Sequence, residues 1–154
     1  MNVASQRSWN RAHALALTAL LILFFGRVAA QLVQWLWPTP LLPDFAAWQS
    51  GLLPYRVLLV AQLVILALVL HQIGQIWSGR ARPRRTLGSV LLALGALYMA
   101  GAAFRLAAGV AKLIDLPFFQ AILPSVFHMV LAGVVLVLGD FHFRGAGVRR
   151  GGPD

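Results

Sequence analysis

The chain has 154 residues, of which 60% are hydrophobic and 11% are charged, and its mean hydropathy is +0.78. Soluble globular proteins carry roughly a quarter charged residues, so this composition excludes that class and predicts an integral membrane protein. The absence of cysteine excludes disulfide bonds and thiol sites. The net charge of +9 lies mainly in short segments beside the apolar runs, which is typical of membrane topology and not of nucleic-acid binding.

The first apolar run predicts a membrane span over residues 12–37. A crossing needs about 20 helical residues, and AHALALTALLILFFGRVAAQLVQWLW is long enough. A basic start and the small residues at 28–30 are also typical of a secretory signal with its cleavage site. Because apolar sequence resumes after Gln31, we interpret the segment as a retained span.

Prolines at positions 38, 40 and 43 end this span and begin a loop that reaches residue 54. Residues 44–50 predict two turns of helix closed by Gly51, with Phe45 and Trp48 on one side. The loop is rich in aromatic residues, as is typical of a membrane–water boundary. We expect a short interfacial helix here, acting either as a lid on the bundle or as a plain connector.

Three further spans are predicted, over residues 54–77, 87–114 and 118–140. The third is rich in small residues, and its alanines recur every four positions, which predicts a seam for close helix packing. These alanines are Ala96 and Ala100, and Ala103, Ala107 and Ala111. The turn before the last span is predicted at residues 115–117. We expect the glycine-rich tail after residue 140 to be disordered at its end.

The predicted fold is therefore all-α: a single transmembrane domain over residues 1–154, forming an up-down-up-down four-helix bundle. Nine of the thirteen basic residues fall in the N-terminal segment, the middle loop and the tail. An even number of spans places these three segments on one side of the membrane. The positive-inside rule then predicts a multi-pass protein of a bacterial-type inner membrane with both termini in the cytoplasm.

Polar residues inside the spans form the candidate site. At a rise of about 1.5 Å per residue, polar groups from all four helices fall in the outer half of the bundle, and we predict five ligand-binding residues: Arg27, Gln31, Gln62, Arg105 and His128. Asp44 and Asp115 are the acids on that side, too few to pair every cation. Three interpretations stay open: structural packing, a ligand or lipid site, and a contact with another membrane subunit.

More specific functions, such as metal binding, haem binding or catalysis, find little support in the sequence. His13, His71 and His142 converge toward the cytoplasmic side, with Asp140 nearby, but they lack the fixed spacing of metal ligands. His71 and His128 differ in depth, which argues against a haem with two axial histidines. No catalytic triad or phosphate-binding glycine loop is present in the sequence. We predict no catalytic residues and no metal site.

The function expected from the sequence is non-catalytic binding of a lipid, a quinone or an anionic amphiphile in the outer half of the bundle. The alternative is a small accessory or assembly subunit of a larger membrane complex, linked to a quinone or a haem. The expected partners are membrane lipids, together with a partner membrane subunit or further copies of the chain, and no nucleic acid is expected.

One local resemblance bears on that alternative. The segments RLAAGVAKL (105–113) and LVLGDFHFR (136–144), with a proline-containing stretch between them, are similar to the first helical hairpin of DoxX-type small four-helix membrane proteins. The resemblance covers about 40 residues in the second half of the chain. The resemblance implies a quinone-linked redox subunit. The predicted fold does not depend on it, because that prediction is based on hydropathy.

Overall fold

The computed structural model describes residues 3–49, 53–114 and 116–150, and no strand occurs among them. Four helices are long and apolar enough to cross a membrane, which confirms the predicted all-α, four-span architecture. A one-turn 3₁₀ helix and a short α-helix lie between them. In chain order the elements are α1 (Val3–Leu36), the 3₁₀ helix (Phe45–Trp48), α2 (Tyr55–Trp77), α3 (Arg85–Val110), α4 (Pro117–Gln120) and α5 (Ile122–Arg150).

Both ends of the chain are more helical than predicted. Helix α1 begins at Val3 and not at residue 12, because residues 3–11 contain neither proline nor glycine to interrupt the helix. Helix α5 continues to Arg150, beyond the predicted end of the last span at residue 140. Packing supports the first part of this extension, since Phe141 is only 2% exposed and Gly145 lies against Pro83. The end of the tail, where disorder is predicted, lies outside the described residues.

The predicted last span is divided in two at Ala121, whose backbone leaves helical geometry with a ψ of 80°. Pro124 explains the break, because its ring lacks an N–H and clashes with the carbonyl four residues earlier. Helix α3 also ends early, at Val110. Lys112 adopts a left-handed φ of 51°, and the Leu113 N–H donates to the Ala108 carbonyl at 3.0 Å, as in a Schellman cap.

The loop after α1 contains a single helical turn instead of the two predicted. The 3₁₀ helix stops at Trp48, and Gln49 is already extended, with φ −110° and ψ 146°. A helix this short gains little from backbone hydrogen bonds alone. The predicted closing residue, Gly51, and the predicted turn residue Asp115 lie outside the described residues.

The alanines predicted to form a packing seam on α3 do not face the neighbouring helices, so this prediction was wrong. Ala96, Ala100, Ala107 and Ala111 are exposed, and Ala103 is half-buried. Four of the five buried small residues of α3 recur instead every seven positions: Gly88, Gly95, Ala102 and Gly109. Glycine lets two backbones approach more closely than alanine does, and α3 packs more extensively on α5 than on any other element.

The long helices form an open arc in the order α2, α1, α5, α3, and direct contact between α2 and α3 is minimal along the described chain. The main hydrophobic core joins α1, α2 and α5 and includes Leu17, Ile76 and Phe141. We call the bundle end nearest this core the basic end; it carries residues 5–11, 78–84 and 144–147. The opposite end, the aromatic end, carries residues 37–49, 53–54, 111–114 and α4.

Candidate functional site

A cavity of about 760 Å³ lies in the half of the bundle nearer the aromatic end, where α2 and α3 stand apart. Its walls are mainly aliphatic and aromatic. The rim on α2 includes Ala61, and the rim on α3 includes Leu97, Gly101 and Phe104, all of which are exposed. The cavity is therefore open sideways, toward the surface that lipid would cover in a membrane.

Four of the five predicted site residues line this cavity: Arg27, Gln62, Arg105 and His128. Each comes from a different long helix, so the structure brings together groups that are up to 101 positions apart in the chain. The fifth, Gln31, lies outside the cavity lining, although it is fully buried. It sits one helical turn beyond Arg27 toward the aromatic end, and its amide has no hydrogen-bond partner within the described chain.

Arg27 is fixed by the loop that follows its own helix. Its side chain is 7% exposed, and Nη2 donates to the Trp48 carbonyl oxygen at 3.0 Å. The Trp48 indole Nε1 in turn donates to the Pro43 carbonyl at 2.9 Å, which holds the 3₁₀ helix over the cavity. The Phe127 ring lies 5.7 Å from the Arg27 guanidinium carbon, so a cation–π contact adds to the hydrogen bond.

Arg105 is held on the other side of the cavity. Its Nε donates to the Phe118 carbonyl at 2.9 Å, and its guanidinium carbon lies 3.7 Å from the centroid of the Phe118 ring. The side chain is 6% exposed, yet Nη2 is buried without a hydrogen-bond partner in the described chain. A buried, unsatisfied donor on a cation is costly, so this atom requires a partner that the described residues do not provide.

The other two predicted residues in the lining are Gln62 and His128, and the polar side chain of Gln49 also lines the cavity. Gln62 is 3% exposed, and its Oε1 is buried and unpartnered in the described chain. His128 Nδ1 lies 2.5 Å from the Tyr98 hydroxyl, a hydrogen bond whose direction depends on the histidine tautomer. The sequence prediction missed Tyr98 as a site residue. Its position seven residues before Arg105 places it on the same face of α3, and this spacing was the available signal.

The cavity contains two guanidinium groups and no carboxylate among its described lining residues. Asp140 is already paired at the basic end, where its carboxylate contacts His13 Nε2 at 3.0 Å and Arg144 Nε at 2.6 Å. Asp44 is exposed and forms no ion pair with a described residue. Positive charge in an apolar setting favours the binding of an anion or a carbonyl oxygen.

The predicted convergence of histidines at the basic end is only partly observed. His13 bonds Asp140, but His71 is exposed, and His142 Nδ1 accepts from the Arg84 backbone N–H at 3.3 Å. Within residues 3–49, 53–114 and 116–150, no cluster of three or more histidine and acidic side chains could hold a metal ion.

Comparison with protein-family models, curated proteins and solved structures finds no match to this chain.

Proposed function

We propose that this protein binds a membrane amphiphile, a lipid or a quinone, in the cavity at the aromatic end. The observation that carries the proposal is that Gln62 and Arg105, which line an apolar-walled cavity open sideways, each have a buried polar atom (Gln62 Oε1 and Arg105 Nη2) with no hydrogen-bond partner in the described chain. Buried polar groups normally have a partner. Ligand sites typically combine apolar walls with a few converging polar groups, and this cavity has both features.

The cavity suits a molecule with a polar head and an apolar body. The head would lie among the cavity's polar residues, and the body would lie against the apolar side chains that continue toward the bundle centre. Those side chains are Phe24, Ile65, Leu97 and Leu131. Entry would take place between α2 and α3, where the exposed rim faces the membrane. The proposed function is binding, and we assign no reaction to it.

A cavity-filling substitution tests this proposal. Gly101 lines the cavity, and a Cβ atom added there would meet nothing within 4 Å, so Gly101→Trp should occupy the entrance without disturbing the packing. Gly74→Trp is the matched control, because Gly74 is equally open but lies outside the lining. Native mass spectrometry of protein purified in mild detergent should show a bound amphiphile in the wild type and the control, and none in Gly101→Trp. Equal retention by all three proteins would overturn the proposal.

The second candidate is an accessory subunit of a larger membrane complex. It is favoured by α2, which is the least buried of the four long helices and packs mainly on α1. The same purification separates the two candidates. Stoichiometric co-purification of another membrane chain, with no bound amphiphile in the wild type, would favour the accessory subunit.

We further propose that the protein resides in a bacterial-type inner membrane with the basic end in the cytoplasm. The charge distribution supports this orientation, since nine of the thirteen basic residues lie in the N-terminal segment, the middle loop and the tail. The cysteine-free chain offers a clean background for labelling. In intact cells, an impermeant maleimide should label Ala47→Cys from outside and should label Arg82→Cys only after permeabilisation. The reverse pattern would overturn the orientation.

A further inference from the structure

We infer that the head of the ligand is anionic, a phosphate or a carboxylate carried on a hydrocarbon chain, and not a neutral group such as a quinone ring. This inference rests on the proposed amphiphile binding and adds the chemical class of the ligand to it. It is argued from the charge in the cavity, from the free hydrogen-bond donors and from the depth at which both lie.

The charge in the cavity is the first step. Arg27 and Arg105 are both more than nine-tenths buried, and no carboxylate of the described chain lines their cavity. A guanidinium stays protonated in proteins, so the two positive charges persist in an apolar setting, where unpaired charge is expensive. A quinone oxygen could accept a hydrogen bond but would leave both charges uncompensated. An anion supplies the missing charge.

The free donors are the second step. A guanidinium carries several N–H donors in a planar fork, yet each of these arginines makes one hydrogen bond to the described protein, in both cases to a backbone carbonyl. Those bonds fix the two side chains in place, and Arg105 Nη2 stays buried without a partner in the described chain. Phosphate and carboxylate oxygens match this fork and form stronger, charge-assisted hydrogen bonds.

The depth of the polar layer is the third step, and it favours an anion attached to a chain over a soluble anion. Arg27 lies nine residues inside the end of α1 and Gln62 seven inside the start of α2, which places them about 10–14 Å below those helix ends. Deeper still, the lining contains Phe24, Ile65, Leu97 and Leu131. A free phosphate would leave this apolar part of the cavity unfilled, whereas a hydrocarbon chain fills it.

The test uses the full chain in micelles of a non-ionic detergent, dodecyl maltoside, and four probes: hexadecanoate, hexadecyl phosphate, hexadecan-1-ol and inorganic phosphate. Affinities are measured from the change in tryptophan fluorescence during titration, since Trp48 lines the cavity and a bound chain would change its environment. We expect both anionic amphiphiles to bind at least about tenfold more tightly than the alcohol, because they gain a charge-assisted hydrogen bond. Inorganic phosphate alone should not compete with them.

The outcomes separate the inference from the proposed function. Equal binding of the alcohol and the anionic amphiphiles would overturn the anionic head and leave amphiphile binding intact. No binding of any amphiphile would overturn both. Competition by inorganic phosphate as strong as that by hexadecyl phosphate would show a soluble anion site and would overturn the hydrocarbon part of the inference.

Substitutions then assign the preference to the cavity. Arg105→Gln should reduce the preference for hexadecyl phosphate over hexadecan-1-ol by about tenfold, and Arg105→Lys, which keeps the charge, should retain most of it. The matched control is Arg56→Gln, because Arg56 lies on α2 near the same end but is exposed and outside the lining. A full preference in Arg105→Gln would contradict the assignment. The wild-type comparison of probes decides the head chemistry even if a variant fails to fold.

Discussion

The two ends of this bundle differ in how their charged groups are paired, although Trp9 Nε1 at the basic end is also buried without a partner in the described chain. At the basic end, His13, Asp140 and Arg144 pair with one another, and α3 and α5 approach so closely that glycine is required between them. At the aromatic end, Arg105 and Gln62 keep unpartnered atoms within the described chain, and α2 and α3 stand apart. The charged groups of the basic end stabilise the contact between helices, and the unpartnered groups of the aromatic end are the basis of the proposed binding site.

The difference teaches that polar residues in a membrane helix have to be judged by their partners. An intramembrane charge is a functional candidate by default, but both carboxylate oxygens of Asp140 are paired with neighbouring side chains. Arg105 is buried to a similar extent as His13, and one of its nitrogens is left without an acceptor in the described chain. If this comparison is right, substitutions of similar chemistry should have opposite effects at the two ends.

The largest effect is expected from Gly88→Ala at the basic end. A Cβ atom at Gly88 would overlap the backbone of Phe143, which cannot rotate away. Overpacking of this kind should lower the free energy of unfolding by about 3 kcal/mol. Gly74→Ala is the control, because its Cβ would meet nothing within 4 Å. Thermal unfolding in detergent measures both, and similar melting temperatures for the two variants would contradict the close packing of α3 and α5.

A smaller loss is expected from Asp140→Asn. The change removes the charge that holds His13 on α1 and Arg144 on α5, and hydrogen bonds to charged groups contribute about 1.5–3 kcal/mol. Because Asp140 is partly exposed, we expect a loss near the lower limit of that range. Asp44→Asn, at an exposed acid of the aromatic end, should leave the melting temperature unchanged. An equal effect of the two changes would remove the contrast between the ends.

Gln62→Leu, in contrast, is expected to raise the free energy of unfolding. Replacing a buried amide that has an unpartnered oxygen with an apolar side chain of similar size should stabilise the ligand-free protein by about 1 kcal/mol, while weakening the binding of an anionic amphiphile. Gln72→Leu on the same helix lies outside the cavity lining and controls for helix propensity. A destabilised Gln62→Leu protein would mean that the Gln62 amide is part of the structural framework.

The smallest change in stability is expected from replacing Tyr98 or Tyr55 with phenylalanine, and the two replacements should differ. The Tyr98 hydroxyl bonds His128, so Tyr98→Phe should cost about 0.5–1.5 kcal/mol, as is typical for one hydrogen bond. The Tyr55 hydroxyl is buried with no partner in the described chain, so Tyr55→Phe should be neutral or slightly stabilising. Unfolding measurements that rank the two changes in the reverse order would contradict the assigned hydrogen bond.

Hydropathy was sufficient to predict the four spans, because each crossing needs a long apolar run and proline or charge marks the ends. Depth along the helices was sufficient to place Arg27, Gln62, Arg105 and His128 in one layer of the bundle, since rise per residue is nearly constant. These predictions depend on one helix at a time. They hold whatever the helices pack against.

What the sequence could not supply is the rotation of each helix about its axis. The alanine spacing on α3 fits a packing face, but the tighter fit of Gly88 and Gly95 against α5 turns that face outward. Gln31 shares a face with Arg27 and still falls outside the cavity lining. The break at Ala121 was available from Pro124, whose ring excludes a continuous helix through residue 120, and it was missed because hydropathy alone does not detect it.

The hydrogen bond between Arg27 and the Trp48 carbonyl has a consequence for biogenesis. Arg27 precedes its acceptor by 21 positions, so it emerges from the ribosome and enters the insertion machinery first. An arginine near the middle of a span costs about 2.5–3.5 kcal/mol at that step, and the leucines of α1 must offset this cost until the connecting segment folds back. We therefore expect the first helix to become securely integrated only after the residues that follow it have been synthesised.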